Sequence, residues 1–140
     1  MSSVLKKYKK ISYQKLSASM KESYNFQKAS AVLADYGFVT NLLPYDWMGA
    51  DFLAQHLDGD WLKIQLKGRI TIDPKYENKE IFIMFEDKKT NCWYLYPHDK
   101  LVDYCRKNHP TKAFSAKGFS RGVGTAWIVK WLEAYKIISV

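Results

Sequence analysis

A short polar turn between two apolar runs is the feature that most constrains how this chain can fold. The residues His56-Leu57-Asp58-Gly59-Asp60 contain an Asp-Gly pair, the kind of turn that joins neighbouring antiparallel strands. Residues 49–55 and 61–69 flank this turn and are therefore predicted to form a hairpin. The two strands of the hairpin are adjacent, so polar side chains on both can converge.

The predicted hairpin carries an acid, an amide and an amine. Asp51 lies on the first strand, and Gln65 and Lys67 lie on the second. Side chains repeat every two residues along a strand, so Gln65 and Lys67 project from one face with Lys63, and Leu66 points to the other. An unpaired charge would be costly in the apolar strand around Asp51, which favours a functional role for the carboxylate. The alternative is that these groups line the wet face of an antiparallel sheet.

These groups are suited to a divalent cation. Hard oxygen atoms are the preferred ligands of Mg²⁺ and Mn²⁺, and the Asp51 carboxylate, the Gln65 amide and the Leu66 backbone carbonyl can supply them. Lys67 is placed to hold an attacking water or to offset charge on a phosphate. The candidates for a second carboxylate are Glu22 and Asp46.

The remaining pattern predicts an α/β fold, a mixed sheet of about five strands flanked by helices. Helices are predicted over residues 19–36, 98–107 and 125–135, and further strands over 38–43, 80–86 and 92–96. Pro44 is expected to close the strand that begins at Phe38, and residues 70–79 are expected to be a connection. We predict one domain over residues 1–140, with a basic lead-in at 1–16 and the core with its C-terminal helix at 17–140.

The charge of the chain favours an acidic partner. Twenty-two Lys and Arg face 14 acids, giving a formal charge of +8, so nucleic acid is the first expectation and an anionic membrane the second. The candidate nucleic-acid contacts are Lys6, Lys7, Lys9, Lys10, Arg69, Lys112, Lys117 and Arg121. The basic segment 1–16 can equally be read as a solvated lead-in.

Cysteine and histidine usage excludes several other classes. The two cysteines make neither a disulfide framework nor a four-ligand zinc site, and the three histidines show no metal-binding spacing. The chain has no run of 18 apolar residues and no signal-peptide pattern. A soluble protein of the reducing cytoplasm, with no membrane partner, is expected.

The order helix, strand, Asp on a second strand and Gln-x-Lys on a third resembles the PD-(D/E)XK nuclease superfamily. Thirteen residues separate Asp51 from Gln65, and the resemblance covers residues 19–70, about half of the chain. It implies a restriction-endonuclease-like fold, in which Asp51 is a metal ligand, Gln65 a ligand or a ligand-positioning group, and Lys67 the catalytic lysine. Many members also place a glutamate on the first helix; Glu22 fits that role, with Asn25 or Gln27 as alternatives.

The function implied by this resemblance is Mg²⁺- or Mn²⁺-dependent hydrolysis of phosphodiester bonds, with double-stranded DNA as the expected substrate. A homodimer is also expected by analogy, because cutting two strands needs two sites. Two alternatives remain open: a catalytically inactive nucleic-acid-binding module and a protein-interaction domain, each with the same fold.

Overall fold

Six strands form one mixed sheet in the computed structural model, which describes residues 2–108, 119–121 and 126–137. The helices are α1 (Ala18–Ala34), α2 (His98–Asn108) and α3 (Ala126–Leu132). The strands are β1 (Phe38–Trp47), β2 (Ala50–His56), β3 (Trp61–Leu66), β4 (Ile70–Ile72), β5 (Ile81–Asp87), β6 (Cys92–Pro97), β7 (Phe119–Arg121) and β8 (Lys136–Ile137).

The strand order in the large sheet is β1-β2-β3-β5-β6-β8. The β3–β5 pair is parallel and the other pairs are antiparallel. The crossover from β3 to β5 contains β4 and a 3₁₀ turn at Pro74–Tyr76, and β4 pairs with β7 as a separate two-stranded sheet. The predicted class, an α/β mixed sheet flanked by helices, is confirmed, with six strands rather than about five.

The sheet has a separate apolar core on each face. Ile83 and Phe85 of β5 belong to the core formed with α2 and α3, whereas Met84, which points to the opposite face, belongs to the core formed with α1. The two helical layers therefore lie on opposite faces of the sheet. In the described parts of the chain, none of the helices has the length and apolar character needed to cross a membrane.

The hairpin predicted from the Asp-Gly turn is present. Strands β2 and β3 pair from Phe52↔Ile64 to Gln55↔Trp61. Gly59 has φ +104°, a conformation that favours glycine. The second strand is shorter than predicted, since β3 ends at Leu66 and Lys67 already lies beyond it.

Two further predictions about the elements are wrong. Strand β1 continues through Pro44 to Trp47, which is tolerated because β1 is at the edge of the sheet and its pairing with β2 is irregular between Leu42 and Trp47. Residues 70–79 are not only a connection: Ile70–Ile72 form the buried strand β4. The charges that suggested a loop lie after β4, while Ile70 and Ile72 pack into the core.

Candidate active site

The residues predicted to act in catalysis and metal binding, Asp51, Gln65, Leu66 and Lys67, line one cleft of about 490 Å³. It is bounded by α1, β1, β2 and the end of β3. The side chains that line it are Glu22, Asn25, Phe26, Leu42, Leu43, Tyr45, Asp51, Phe52, Gln65, Leu66 and Lys67, together with Gly68. Because β2 and β3 are antiparallel, the start of β2 and the end of β3 lie at the same edge of the sheet. This pairing brings Asp51 next to the Gln65-x-Lys67 segment.

Asp51 is held against β3 by a direct hydrogen bond. Its carboxylate Oδ2 accepts from the backbone N–H of Leu66 at 2.9 Å. The side chain is half-buried, and Asp51 comes one residue before Phe52, whose pairing with Ile64 is the β2–β3 pair nearest the cleft. The carboxylate is therefore both anchored to the neighbouring strand and part of the cleft wall.

Gln65 carries a buried oxygen that the described residues do not satisfy. The side chain is only 9 % exposed, and Oε1 has no hydrogen-bond partner among the described residues. Burying a carbonyl oxygen without a partner costs free energy, and buried polar groups in native proteins are nearly always satisfied. The Gln65 amide oxygen is therefore suited to accept a ligand within the cleft.

The donor set fits a hard cation that keeps much of its water. Within the parts of the chain that the structure describes, no three His, Cys, Asp or Glu side chains cluster as a metal site. The cleft offers instead the Asp51 carboxylate, the unpartnered Gln65 amide oxygen and the exposed Glu22 carboxylate. Mg²⁺ is commonly held by one or two carboxylates, with waters and substrate phosphates completing its coordination. The residues present therefore fit Mg²⁺ or Mn²⁺ better than zinc.

Lys67 is positioned by its backbone and by an aromatic ring. Its N–H donates to the carbonyl of Met84 on β5 at 2.9 Å, and its Nζ lies 5.4 Å from the centroid of the Tyr76 ring. An ammonium group over an aromatic face is attracted by the ring. Lys67 is half-buried, so its charge acts in a cleft that is partly shielded from solvent.

Tyr76 is a supporting residue of the site that the sequence pattern does not reveal. It is 1 % exposed, and burial raises the pKa of its hydroxyl, with the nearby Asp51 charge acting weakly in the same direction. Gly49 leaves room for the ring: its φ is +87°, and an added Cβ would lie 3.1 Å from Tyr76 Cδ1. Gly49 immediately precedes β2, but nothing local in the sequence links it to residue 76.

A buried histidine packs against Tyr76. The His98 ring meets the Tyr76 ring edge-on, with centroids 5.6 Å apart. Its Nε2 accepts from the Asp73 N–H at 3.1 Å, and its Nδ1 lies 3.0 Å from Asp99 Oδ1. Since Nε2 accepts, Nδ1 carries the proton and donates to Asp99. His98 thus takes a structural role, since it joins Asp73, Asp99 and Tyr76.

The helix residues considered for the second acid position fall into two groups. Glu22 and Asn25 line the cleft, whereas Gln27 is exposed and donates to Ser23 Oγ at 3.1 Å. Asp46 lies on β1, and its side chain is outside the described part of the structure. Glu22 is therefore the described carboxylate that shares the cleft with Asp51.

Lys63, which lies two residues before Gln65 on β3, does not line the cleft. Lys63 is in phase with Gln65 on β3, but its Nζ donates to the backbone carbonyl of Lys79, and it lines a separate groove. Lys63 is therefore in phase with Gln65, as predicted, but lies outside the cleft. The crossover after β4 supplies the carbonyl that holds it.

The predicted nucleic-acid contacts are only partly described. Exposed residues among them are Lys6, Lys7, Lys9, Lys10 and Arg69. Lys112 and Lys117 lie outside the described residues, and Arg121 is described only through its backbone in β7. Their binding roles stay predictions.

Comparison with known proteins gives limited information. No family model and no curated protein matches this chain. A solved structure of a bacterial homing endonuclease, I-Ssp6803I, is similar at 19% sequence identity and a TM-score of 0.46, over 63% of this chain and 71% of that one. A likeness of this size carries no functional argument, so function must be inferred from the cleft.

Proposed function

We propose that this chain is a metal-dependent endonuclease of the PD-(D/E)XK type that hydrolyses phosphodiester bonds in DNA. The observation that carries the proposal is the buried Gln65 oxygen, which has no hydrogen-bond partner among the described residues and lies in the same cleft as Asp51 and Lys67. An unsatisfied oxygen beside a carboxylate and an ammonium group matches the chemistry of a hydrolytic metal site. The resemblance of Asp51…Gln65-x-Lys67 to the superfamily motif supports the same assignment.

Asp51, Gln65 and the Leu66 carbonyl would hold Mg²⁺ or Mn²⁺, with Glu22 as the additional acid. When bound, the ion supplies polarisation of the scissile phosphate and a lowered pKa of a coordinated water. Asp51 contributes the negative charge of this ligand set, and its bond to the Leu66 N–H keeps the carboxylate in place. Gln65 contributes a neutral oxygen that costs little to bring to the ion, because burial has already removed its water.

Lys67 supplies the positive charge for the reaction. Its ammonium group would donate hydrogen bonds to the attacking water and to a non-bridging phosphate oxygen, which stabilises the charge that develops during attack. The Tyr76 ring beneath Nζ and the backbone bond to Met84 limit the positions that this group can take. Pre-positioned charge of this kind acts without reorganisation at the moment of reaction.

A second function remains a candidate because the described residues hold no cluster of three metal-binding acids, histidines or cysteines. A nucleic-acid-binding module without catalysis would use the same basic chain and cleft. Cleavage separates the two functions, because a silent module would bind DNA in the presence of Mn²⁺ and leave it intact.

The test is a plasmid-nicking assay with Mg²⁺ or Mn²⁺ on the wild type, Asp51→Asn and Lys67→Ala. Asn keeps an oxygen that can accept from Leu66 N–H but loses the charge, so we expect nicking to fall about 100-fold or more, as for loss of one key electrostatic group. Lys67→Ala should show a loss of similar size.

Matched controls remove the same groups elsewhere. Asp103→Asn and Lys107→Ala change exposed residues on α2, on the opposite face from α1, and should leave nicking unchanged. Undiminished nicking by both cleft variants would overturn the catalytic assignment. DNA binding without any nicking by the wild type would favour the silent module.

A further inference from the structure

A cluster of two tyrosines and three lysines lies beside the cleft and is not part of it. This aromatic–lysine patch consists of Tyr13, Lys21, Tyr24, Lys28 and Lys88. Lys21, Tyr24 and Lys28 are spaced by three and four residues, so they form one stripe along α1. Tyr13 comes from the N-terminal segment and Lys88 from the turn after β5, so the tertiary structure assembles the patch from three parts of the chain.

The geometry of the patch is that of cations held over aromatic faces. The Tyr13 and Tyr24 rings lie 5.3 Å apart, between centroids. Lys21 Nζ and Lys88 Nζ lie 5.4 Å and 5.2 Å from the Tyr13 centroid, and Lys28 Nζ lies 5.3 Å from that of Tyr24. Tyr24, Lys28 and Lys88 are exposed, so the patch is open to a large ligand.

The patch has a net positive charge that ion pairs among the described residues do not cancel. Lys88 pairs with Glu86 at 2.8 Å, but neither Lys21 nor Lys28 forms an ion pair with any described residue. Rings beneath the ammonium groups neutralise no charge, so both lysines keep their attraction for an anion. The charge of the patch is therefore complementary to a phosphate chain.

The patch is continuous with the cleft. Asn25 lines the cleft, and its Nδ2 donates to the Tyr13 hydroxyl at 2.8 Å. The parallel pairing of β3 with β5 also brings the ends of both strands, followed by Lys67 and Lys88, to the same edge of the sheet. A polymer whose phosphate occupies the cleft can therefore continue across this patch.

We propose that the aromatic–lysine patch binds the phosphate backbone of the nucleic acid that enters the cleft. This deepens the proposed function and rests on it, since it identifies the surface that holds the substrate beside the cutting site. Lys21 and Lys28 supply the principal phosphate contacts. Tyr13 and Tyr24 hold the ammonium groups in place, and the exposed Tyr24 ring offers an apolar face to the sugar or base next to them.

The experiment measures the affinity for a 5′-labelled duplex of about 20 bp by fluorescence anisotropy at several salt concentrations, with EDTA present so that no metal-dependent cleavage can occur. The slope of log affinity against log salt is negative, and removal of one phosphate-binding cation makes it less steep by about 0.9. In the double variant Lys21→Ala/Lys28→Ala the slope should therefore be less steep by about 2, and binding should be weaker at every salt concentration.

The matched control is Lys107→Ala/Lys130→Ala, which removes the same charge from exposed positions on α2 and α3, on the opposite face of the sheet. It should leave the slope close to that of the wild type. Equal slopes for the two double variants would overturn the proposal. So would a loss of binding to phosphatidylserine vesicles in the Lys21/Lys28 variant with duplex binding unchanged, because the patch would then serve a membrane surface.

The outcomes also separate this inference from the proposed function. If the wild type nicks no plasmid but the Lys21/Lys28 variant loses duplex binding, the endonuclease proposal fails and the patch proposal stands. If the wild type nicks plasmid and the patch variant binds duplex normally, the patch proposal alone fails. The binding assay contains EDTA, so its result does not depend on the metal site, whereas the nicking assay does.

Discussion

The buried polar groups near α2 and the buried amide of the cleft differ in whether their hydrogen bonds are satisfied by described residues. Near α2, the Tyr96 hydroxyl donates to the Thr71 carbonyl and accepts from the Thr71 N–H, both at 2.9 Å, and both His98 ring nitrogens have partners. In the cleft, Gln65 Oε1 has none among the described residues. The first groups join parts of the fold, whereas the second has no partner in the described part of the chain. Polar burial alone therefore does not indicate a candidate site, whereas unsatisfied polar burial beside charged groups does.

The largest stability effect is expected at Tyr96. Tyr96→Phe removes the two hydrogen bonds between the buried Tyr96 hydroxyl and the Thr71 backbone, so the free energy of unfolding should fall by about 1–3 kcal/mol. Urea denaturation measures the change. The matched control is Tyr94→Phe, a neighbouring buried tyrosine whose hydroxyl has no hydrogen bond to a described residue. Equal losses in the two variants would contradict the structural role of the Tyr96–Thr71 bonds.

A smaller stability effect, with a large effect on activity, is expected at Gln65. Gln65→Met keeps the side-chain volume and removes an unsatisfied oxygen, so the free energy of unfolding should change by less than about 0.5 kcal/mol or increase. Metal-dependent nicking should be lost.

Gln65→Glu supplies a second carboxylate and should lower the Mg²⁺ concentration needed for half-maximal nicking. Destabilisation by Gln65→Met as large as that of Tyr96→Phe would show that the amide serves the fold.

The smallest effect is expected at an exposed polar pair on the hairpin. His56 Nδ1 lies 2.9 Å from Asp58 Oδ1 and Nε2 lies 2.9 Å from the Tyr36 carbonyl, and the bond to Asp58 raises the pKa of His56 above 6.5. Because the folded-state pKa is raised, this small stabilisation is complete below the ordinary pKa and is lost as the pH rises through the raised value.

Titration by NMR tests this pair directly. The midpoint of the His56 imidazole should lie above 6.5 in the wild type and should fall in Asp58→Asn. The Asp58 pKa is lowered by the bond from the Asp60 N–H and then by His56, so its own contribution is lost only as the pH falls through that lowered value. An unchanged His56 midpoint in Asp58→Asn would show that the pair is not formed in solution.

Local signals predict the elements around the site and fail where distant contacts decide. The Asp-Gly turn predicts the hairpin, and three- and four-residue spacing predicts α1, because both depend on interactions between near neighbours. Pro44 does not end its strand as predicted, since the position of β1 at the sheet edge makes a proline tolerable there. Residues 70–72 form a strand rather than a connection, because their burial depends on helices and strands far along the chain.

Local signals in the sequence predict a carboxylate and an amide on neighbouring strands with an ammonium group close by, because turn chemistry and strand alternation are local; Lys67 itself lies just beyond the end of β3. Which of these groups are buried, and which residues surround them, depends on the tertiary structure. In the folded protein Lys63 Nζ donates to the Lys79 carbonyl, and the Tyr76 ring lies under the Lys67 ammonium group. Gln65 Oε1 has no hydrogen-bond partner among the described residues. Burial and partnership depend on contacts between residues far apart in the chain, and these contacts separate a candidate site from an ordinary polar strand.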